Sequence, residues 1–237
     1  MQPTMDEQRA FWNAWIAANP RDAYQRDAAS LRRRDEVLAY LRSLALPRPD
    51  ILEVGCSNGW LCAELAQFGP VTGTDLAPAA IEEASNRYPH IQFVAGDFYE
   101  LDFSQKDVVV CVDSLASVAD HPRFIARMDT ALKPGGYLII TTQNPFVFSR
   151  YSGLAPLSPG QVRNWTSRDQ LRRLLSADFD VLDLKTVAPR GDLGILRIVN
   201  NRLLNRVAGL VLGRARRDRL KEACGLGQTI VCLARKR

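Results

Sequence analysis

The sequence predicts an α/β protein built on an open, doubly wound and mostly parallel sheet. Short apolar segments alternate with helical segments over roughly a hundred residues from Asp50 onward, a pattern typical of right-handed β-α-β units. One segment, residues 107–113, is apolar at five consecutive positions, as expected of a strand covered by helices on both faces. Ligands of such sheets bind at the carboxyl ends of the strands, so the residues that follow each strand are the functional candidates.

The boundaries of the elements follow from periodicity and from Gly and Pro residues that interrupt it. Two helices are predicted ahead of the alternating segment, at residues 5–19 and 28–44. The alternating segment has strands at residues 50–55, 71–75, 91–95, 107–113 and 137–142, helices at residues 60–68, 79–87 and 122–132, and a turn at residues 133–136. Beyond Asn144 we expect a long loop (145–164), a helix capped by Thr166 or Ser167, a strand (179–187), a helical insert (193–223) and a last strand (229–234).

The composition is that of one large globular domain with appendages. The chain has 237 residues, of which 46% are hydrophobic and 24% charged, ordinary proportions for a well-covered core. No basic segment leads into an apolar stretch at the start, and the longest apolar runs, at residues 108–112 and 207–212, are far shorter than the roughly 20 residues of a spanning helix. We therefore expect a soluble protein without a secretory signal.

The cysteines predict a reducing environment. All five are scattered, with no Cys-x-x-Cys pair and no histidine at ligand spacing. This distribution argues against a disulfide framework and against a structural metal site, and no metal is expected. The predicted location is the cytoplasm.

The glycine-rich segment at residues 51–60 is the strongest local signal. It reads Ile-Leu-Glu-Val-Gly-Cys-Ser-Asn-Gly-Trp, a strand that enters a tight turn and opens a helix, so that backbone N–H groups face a ligand that Gly55 and Gly59 allow to come close. The spacing is G-x-x-x-G rather than the G-x-G-x-x-G of dinucleotide sites. Asp75 ends the second strand, where a carboxylate can bind both hydroxyls of a ribose. Asp97 and Phe98 follow the third strand, where an acid can accept from an adenine amino group beside a stacking ring.

With these segments the chain resembles the class I S-adenosylmethionine-dependent methyltransferases over about residues 48–144. Five segments match the family in order, namely residues 53–59, 71–76, 96–98, 107–113 and 132–140, although Ser57 stands where the family usually has glycine. The resemblance implies a Rossmann-like sheet of seven strands with an antiparallel last strand, and S-adenosylmethionine as cofactor with S-adenosylhomocysteine as product. The residues implied in cofactor binding are Glu53, Gly55, Cys56, Ser57, Gly59, Asp75, Leu76, Asp97, Phe98, Asp113 and Ser114.

Candidate acceptor and catalytic residues follow the fourth and fifth strands. His121 is a candidate general base with Asp113 close to it along the chain; in the alternative interpretation, Asp120 or His121 only caps the next helix. Gln143 and Asn144, after the fifth strand, and Tyr151, Arg163 and Trp165, which border the long loop, are candidates for binding the acceptor, unless that loop is simply solvated. Trp12 and Trp15 of the first helix either cover the cofactor or pack ordinarily.

Basic charge is concentrated towards the C-terminus. From Arg190 onward there are twelve Lys or Arg residues against three acidic ones, a net charge of +9, whereas the rest of the chain has a net charge of −4. An apolar stripe (Leu196, Val199, Leu203, Val207 and Leu210) is accompanied there by Arg202, Arg206, Arg214, Arg216, Arg217 and Arg219. Such a segment either docks on its own domain as a lid, the interpretation we favour here, or lies on a membrane surface.

The domain prediction is a helical cap (residues 1–46), a cofactor-binding core (47–145), and a C-terminal part (146–237) with the acceptor loop, the remaining strands and a basic lid (about 189–226). The predicted function is methylation of a small molecule, on a hydroxyl oxygen in secondary-metabolite, sugar or quinone biosynthesis. The enzyme is expected to act as a monomer or homodimer without nucleic acid. The alternatives are an RNA methyltransferase, suggested by the pI near 9.1, and a non-catalytic binding subunit of the same fold.

Overall fold

The computed structural model describes residues 2–19 and 27–237, and the strands in this part form one sheet of seven. Their order is β3-β2-β1-β4-β5-β7-β6, with β1 to β5 parallel and β7 antiparallel to both β5 and β6. The predicted α/β class and the antiparallel last strand are confirmed. The strands are β1 (Ile51–Val54), β2 (Val71–Asp75), β3 (Gln92–Ala95), β4 (Lys106–Val112), β5 (Leu132–Gln143), β6 (Phe179–Pro189) and β7 (Gly227–Lys236).

The helices begin at the caps that the sequence offers. Thr4 and Glu7 form a reciprocal capping box at the first helix, Asp27 and Asp120 cap two others, and Ser167 rather than Thr166 caps the helix after the long loop. The helices are α1 (Met5–Ala18), α2 (Ala28–Leu44), α3 (Trp60–Leu65), α4 (Pro78–Arg87), α5 (His121–Ala131), α6 (Pro145–Phe148), α7 (Arg168–Leu175), α8 (Ile195–Val199), α9 (Arg202–Leu212) and α10 (Arg214–Ala223).

The central strands bury both of their faces. Successive residues point to opposite sides of a sheet, so Leu52 and Val109 pack with α5 and α7, while Ile51 and Val110 pack with α2 and α3. Because Val37, Leu38 and Leu41 of α2 belong to this second cluster, the boundary predicted at residue 46 does not separate two cores. Helix α2 is therefore a layer of the main domain, whereas no described residue of α1 belongs to either core cluster.

Several predicted boundaries shift by one to three residues, and the predicted turn and long loop differ from the structure in kind. Residues 133–136, predicted as a turn before a strand, are part of β5, where the pairing jumps from Lys106 with Leu132 to Val108 with Tyr137. The bulge absorbs the additional residues, so the strand begins earlier than the predicted turn suggests. The long loop also opens with the short helix α6, whose N-cap is Asn144.

The parallel register brings the carboxyl ends of the strands to one edge of the sheet. Val54 of β1 lies beside Thr74 of β2 and Cys111 of β4. The segments that follow these three residues therefore meet above the middle of the sheet, where a doubly wound fold binds its ligands. In the described part of the chain, no helix is long and apolar enough to cross a membrane.

Candidate functional site

A cavity of about 850 Å³ lies at this edge of the sheet, within the range of roughly 300–1,000 Å³ common for small-molecule sites. The segments after β1, β2, β3 and β4 all contribute to its wall. Ten of the predicted cofactor-binding residues line it, namely Glu53, Gly55, Cys56, Ser57, Asp75, Leu76, Asp97, Phe98, Asp113 and Ser114. Gly59 is absent from the described lining.

The two glycines of the loop are required by close protein neighbours. Gly55 has φ +76°, and a Cβ atom there would lie 1.9 Å from Ser114 Oγ. Gly59 has φ +75°, and its Cβ would lie 2.7 Å from the ring of Phe93. Gly55 also lines the cavity, so the close approach of a ligand there stays a prediction, whereas Gly59 packs against a side chain of β3 and is absent from the described lining.

Asp75 ties the glycine loop to the helix after β2. Its Oδ2 accepts from the backbone N–H of Ser57 at 2.9 Å, and its Oδ1 accepts from that of Ala77 at 2.9 Å. Burial raises the pKa of Asp75, and these backbone hydrogen bonds oppose that effect. Ser57 itself has φ +49°, a left-handed conformation in which glycine is usual. One carboxylate thus holds two turns of the cavity wall.

Glu53 is a buried carboxyl group at the floor of the cavity. Its Oε2 accepts from the thiol of Cys62 at 2.9 Å. Burial raises the pKa of Glu53 to about 8, and nearby Asp75 adds to the increase, so Glu53 holds a proton at neutral pH. Burial also raises the pKa of the Cys56 and Cys62 thiols, which makes both of them packing groups rather than nucleophiles.

Asp97 and Phe98 meet the cavity in different ways. The Asp97 Oδ1 accepts from the backbone N–H of Tyr99 at 2.9 Å, which fixes the carboxylate at the end of β3. The Phe98 side chain reaches the lining but is mostly buried, with its ring stacked on Phe103 and edge-on to Phe124. The core occupies much of the ring surface, and stacking of the remaining part on an adenine base stays a prediction.

Asp113 is held in place by two other elements. Its Oδ2 lies 3.1 Å from the Arg33 Nε of α2 as an ion pair, although that N–H is not aimed along a hydrogen bond, and its Oδ1 accepts from Thr141 Oγ1 of β5 at 3.1 Å. The residue has φ +58°. Arg33, which also lines the cavity, was missed in the sequence because its partner lies 80 positions away.

His121 does not have the position of a general base. Its side chain is buried and absent from the cavity lining. The Nε2 lies 3.0 Å from the carbonyl oxygen of Leu115, and Nδ1 lies 3.0 Å from Thr166 Oγ1. Since a carbonyl only accepts, Nε2 carries the proton and Nδ1 accepts from the threonine hydroxyl, which uses both nitrogens of a neutral ring. Asp120 caps α5 through Arg123 N at 3.0 Å, as in the capping interpretation.

We therefore expect His121→Ala to act on stability and not on the cofactor site. Loss of the ring leaves the buried Thr166 hydroxyl without its partner, while the Leu115 carbonyl still accepts from Val118 N; one unsatisfied buried group costs about 1–3 kcal/mol of unfolding free energy. The measurement is urea unfolding beside calorimetric titration of S-adenosylhomocysteine at a temperature where both proteins are folded. The control is His90→Ala, which changes the other, exposed histidine. A folded variant with weakened cofactor binding would contradict this assignment.

The same ring gives a pH dependence with a defined sign. Burial lowers the pKa of His121, so near pH 6 the unfolded chain binds a proton more readily than the folded one. The unfolding free energy contributed by His121 therefore decreases as the pH falls below the ordinary value of about 6.5, by at most about 1.4 kcal/mol per pH unit. The stability difference between the wild type and His121→Ala should narrow from pH 7.5 to pH 5.5, which unfolding curves at the two pH values measure.

The acceptor side of the cavity is aromatic and basic. Arg163 and Trp165 line it as predicted, and Phe148 lines it beside Trp165 with ring centroids 5.6 Å apart. The Arg163 guanidinium lies 5.6 Å from the Trp165 ring centroid and donates to the carbonyl of Ala155. Gln143 also lines the cavity, and its buried Oε1 has no hydrogen-bond partner among residues 2–19 and 27–237.

Asn144 and Tyr151 are structural in the described chain and absent from the cavity lining. Asn144 Nδ2 donates to the carbonyls of Gly225 and Gly227 at 3.0 and 2.8 Å, and its Oδ1 accepts from Phe146 N. The Tyr151 hydroxyl is 2.6 Å from an Arg190 nitrogen, which also places that guanidinium over the ring. Both predictions of acceptor binding are corrected, because these polar groups already have partners within the protein.

Helix α1 covers the cavity. Trp12 and Trp15 line it together with residues 2–4. The long loop approaches the same helix closely, since a Cβ at Gly160 would lie 2.4 Å from the carbonyl oxygen of Glu7. The covering interpretation of the tryptophans is thus the one that the geometry favours over ordinary packing.

The lid prediction for the basic insert is wrong for the part of the chain that is described. No described residue beyond Trp165 lines the cavity. Of the predicted stripe, Leu196 is buried, whereas Leu203 and Leu210 are exposed; the side chain of Val207 lies outside the described residues. Within residues 2–19 and 27–237, no cluster of three or more His, Cys, Asp or Glu side chains is arranged to hold a metal ion.

Comparisons with known proteins agree with this geometry. Residues 52–140 match the family model described as "Methyltransferase domain". A "Probable S-adenosylmethionine-dependent methyltransferase" of Mycolicibacterium smegmatis is 30% identical over 64% of this chain and 60% of its own length. Trans-aconitate 2-methyltransferase of Deinococcus radiodurans is 35% identical over 52% of this chain and 48% of its own length. The chain thus spans about half to three fifths of these relatives.

A solved structure extends the likeness to the whole chain. The N-methyltransferase NodS of Bradyrhizobium japonicum, in complex with S-adenosylhomocysteine, has a TM-score of 0.67 at 17% identity and covers 98% of this chain and 99% of its own. At that identity the likeness concerns the fold. The sheet order and the cavity at its carboxyl edge define a protein of the Rossmann-like α/β class. Residues 52–140 match a methyltransferase domain, and together these similarities support a class I S-adenosylmethionine-dependent methyltransferase.

Proposed function

We propose that this protein transfers the methyl group of S-adenosylmethionine to an oxygen atom of a small molecule. One observation carries this proposal: the segments after four neighbouring strands line one cavity, which continues into a pocket of aromatic and arginine side chains. Asp75 and Asp97 supply acceptors for the ribose and adenine groups of a nucleoside, and Glu53 supplies a buried carboxyl group beside the glycine loop. This donor and acceptor set fits the cofactor of the family.

The cofactor supplies an electrophilic methyl group on a sulfonium, which a nucleophile displaces directly. The task left to the protein is then to position the nucleophile and to exclude water, with a base needed only for an acceptor that must lose a proton. Trp12 and Trp15 cover the cavity on one side, and Phe148 and Trp165 wall the acceptor pocket. These apolar side chains support an enclosed reaction on a small acceptor.

The side chains described in the cavity lining favour an acceptor whose oxygen loses its proton without a general base from the protein. His121 is committed to two hydrogen bonds outside the cavity, and Asp113 is paired with Arg33. Burial raises the pKa of the Tyr99 phenol, which lines the cavity, to about 12. Arg123 and Arg163 contribute positive charge there. Carboxylates and acidic phenolic or enolic hydroxyls therefore fit better than an alkyl alcohol, which revises the predicted hydroxyl chemistry towards anionic oxygen.

The alternative of RNA as acceptor gains no support from the distribution of charge. The exposed arginines of the insert lie outside the described lining. A binding subunit without activity remains the competing hypothesis, since this fold hosts more than one function. Detection of a methylated product separates the two hypotheses.

The test is incubation of the protein with isotopically labelled S-adenosylmethionine and a host metabolite extract. Mass spectrometry should reveal an acceptor that gains the labelled methyl group, with formation of S-adenosylhomocysteine. The control reaction contains Asp75→Ala, which is expected to bind the cofactor poorly. Cofactor binding without any labelled product across extracts would favour the non-catalytic hypothesis, and a labelled RNA fraction would favour the RNA alternative.

With an acceptor identified, Arg163→Ala should lower kcat/KM for that acceptor by about 10- to 100-fold, the effect of losing one charge-assisted contact. Cofactor affinity should stay unchanged, because Arg163 lies on the acceptor side. Steady-state kinetics at varied acceptor concentration measure this effect, with Arg163→Lys as the charge-retaining variant. Arg150→Ala is the matched control, since that arginine stacks on Phe146 away from the lining. Equal losses in both alanine variants would remove Arg163 from acceptor recognition.

A further inference from the structure

The helical insert between β6 and β7 has an exposed surface of large aliphatic side chains. We call it the insert surface; its aliphatic members are Leu193, Ile195, Ile198, Leu203, Leu204, Leu210 and Leu220. Leu203 and Leu210, seven positions apart on the same side of α9, are 69% and 81% exposed. Seven large aliphatic side chains in contact with water within one insert are typical of an interaction site.

The polar side chains of the insert attach it to the rest of the fold. Glu222 of α10 accepts from Ala188 N at 3.0 Å and pairs with Arg32 of α2. Lys221 donates to the side chains of Asn200 and Asn205 at 3.0 and 2.7 Å. A helix that docks on its own domain normally buries its aliphatic stripe and exposes its charges. Here polar contacts face the domain, and much of the aliphatic surface faces outward.

The charges that share this surface are positive and lack partners. Six exposed arginines make no ion pair with an acidic side chain in the described part of the chain, namely Arg197, Arg202, Arg206, Arg214, Arg216 and Arg219. The acidic residues of the insert are already engaged: Asp218 pairs with Arg217, Glu222 with Arg32, and Asp192 bonds to Ser152. The insert surface therefore combines unneutralised positive charge with aliphatic groups.

We propose that the insert surface binds an anionic lipid bilayer. Leucine and isoleucine side chains can enter the boundary between headgroups and acyl chains, while arginines bind lipid phosphates, and each basic residue near such a surface adds about fivefold in affinity. Residues 190–226 contain no Phe, Trp or Tyr. That absence disfavours RNA, whose bases stack on aromatic side chains, and a protein partner, whose interfaces are rich in them.

The insert surface is joined to the long loop that walls the acceptor pocket. Asp192 Oδ1 accepts from Ser152 N at 2.8 Å, and Arg190 lies 2.6 Å from the Tyr151 hydroxyl. The same loop supplies Leu154, Arg163 and Trp165 to the cavity lining. These contacts therefore connect the insert with the loop that walls the acceptor pocket. Bilayer binding itself requires no methyl transfer, so it stands apart from the proposed activity.

The test is flotation of the full chain with vesicles of phosphatidylcholine alone or with about 30% phosphatidylglycerol. The wild type should float with the anionic vesicles only, and about 0.5 M salt should weaken the binding. The combined change Arg202→Gln, Arg206→Gln, Arg214→Gln and Arg216→Gln should reduce affinity at least about 100-fold. The pair Leu203→Gln and Leu210→Gln should reduce affinity at least about 100-fold, because each buried leucine is worth more than a factor of about 10.

Matched controls use exposed residues outside the insert. Leu182→Gln on β6 removes a leucine that is 53% exposed, and Arg172→Gln with Arg173→Gln removes two exposed arginines of α7. These control substitutions should leave flotation unchanged, and thermal unfolding verifies that every variant is folded. Absence of flotation by the wild type, or equal losses in the controls, overturns the inference. Vesicle binding that depends on the arginines but not on the leucines also overturns the inference. The inference is likewise overturned if the leucine changes abolish a concentration-dependent dimer while flotation persists.

Discussion

Replacement of Asp75 by alanine is expected to weaken binding of S-adenosylhomocysteine at least about 100-fold. Charge-assisted hydrogen bonds are worth about 1.5–3 kcal/mol each, and a carboxylate facing a ribose forms up to two of them. Asp75 also fixes the loop through Ser57 N and Ala77 N, so part of the loss comes from a less ordered wall. Isothermal titration calorimetry measures the affinity, and Asp102→Ala, whose side chain is 90% exposed, is the control.

A 2′-deoxy analogue of the ligand separates the direct contact from the structural one. If Asp75 binds the ribose, the wild type discriminates against the analogue and Asp75→Ala binds both ligands equally. If Asp75 acts only by holding Ser57 and Ala77, the variant discriminates as much as the wild type does. The second outcome would remove Asp75 from the ligand and leave it as a loop-fixing residue.

The substitution Gly55→Ala is expected to lower the unfolding free energy by about 3 kcal/mol, which corresponds to a decrease in Tm of roughly 6 to 12 °C. Two effects add. A Cβ at residue 55 would lie 1.9 Å from Ser114 Oγ, and the backbone has φ +76°, where alanine is strained. Because the displaced segments line the cavity, cofactor binding should weaken as well. Thermal unfolding and calorimetry measure the two effects.

Two further variants separate the two contributions to the loss of stability in Gly55→Ala, the backbone strain and the collision with Ser114. Gly225→Ala meets nothing closer than 3.6 Å at φ +77°, so it reports the conformational cost of about 1 kcal/mol without a collision. Adding Ser114→Gly to Gly55→Ala removes the colliding side chain and should recover most of the remaining loss. A double variant no more stable than Gly55→Ala would show that the Ser114 side chain is not what requires glycine at residue 55.

Local patterns in the sequence were enough for the cofactor side of the site. The loop at residues 55–59, Asp75 and Asp97 each follow an apolar strand, and parallel strands bring their carboxyl ends to one edge. A strand, the turn after it and the carboxylate at its end are encoded within a few residues. Ten of the eleven residues predicted on this side line the cavity for that reason. Gly59 is the exception: it packs against the ring of Phe93, a residue of β3, and is absent from the described lining.

The acceptor side was predicted less well, because its residues depend on partners far along the chain. His121 bonds to Thr166, Asn144 bonds to Gly225, and Tyr151 meets Arg190. None of these contacts leaves a local pattern. A histidine at the start of a helix, or an amide after a strand, looks the same in the sequence whether it faces a ligand or forms its hydrogen bonds within the protein.

The sequence by itself determined the fold class, the order of its elements and the edge of the sheet where a nucleoside binds, since these depend on periodicity and on turn residues close in the chain. Only the tertiary structure decided which polar side chains remain available there, and that the basic insert exposes its leucines instead of covering the cavity. A polar side chain can bind a ligand only if the folded chain has not already supplied its hydrogen-bond partner. Such partners often come from residues far away in the sequence, where no local pattern reveals them.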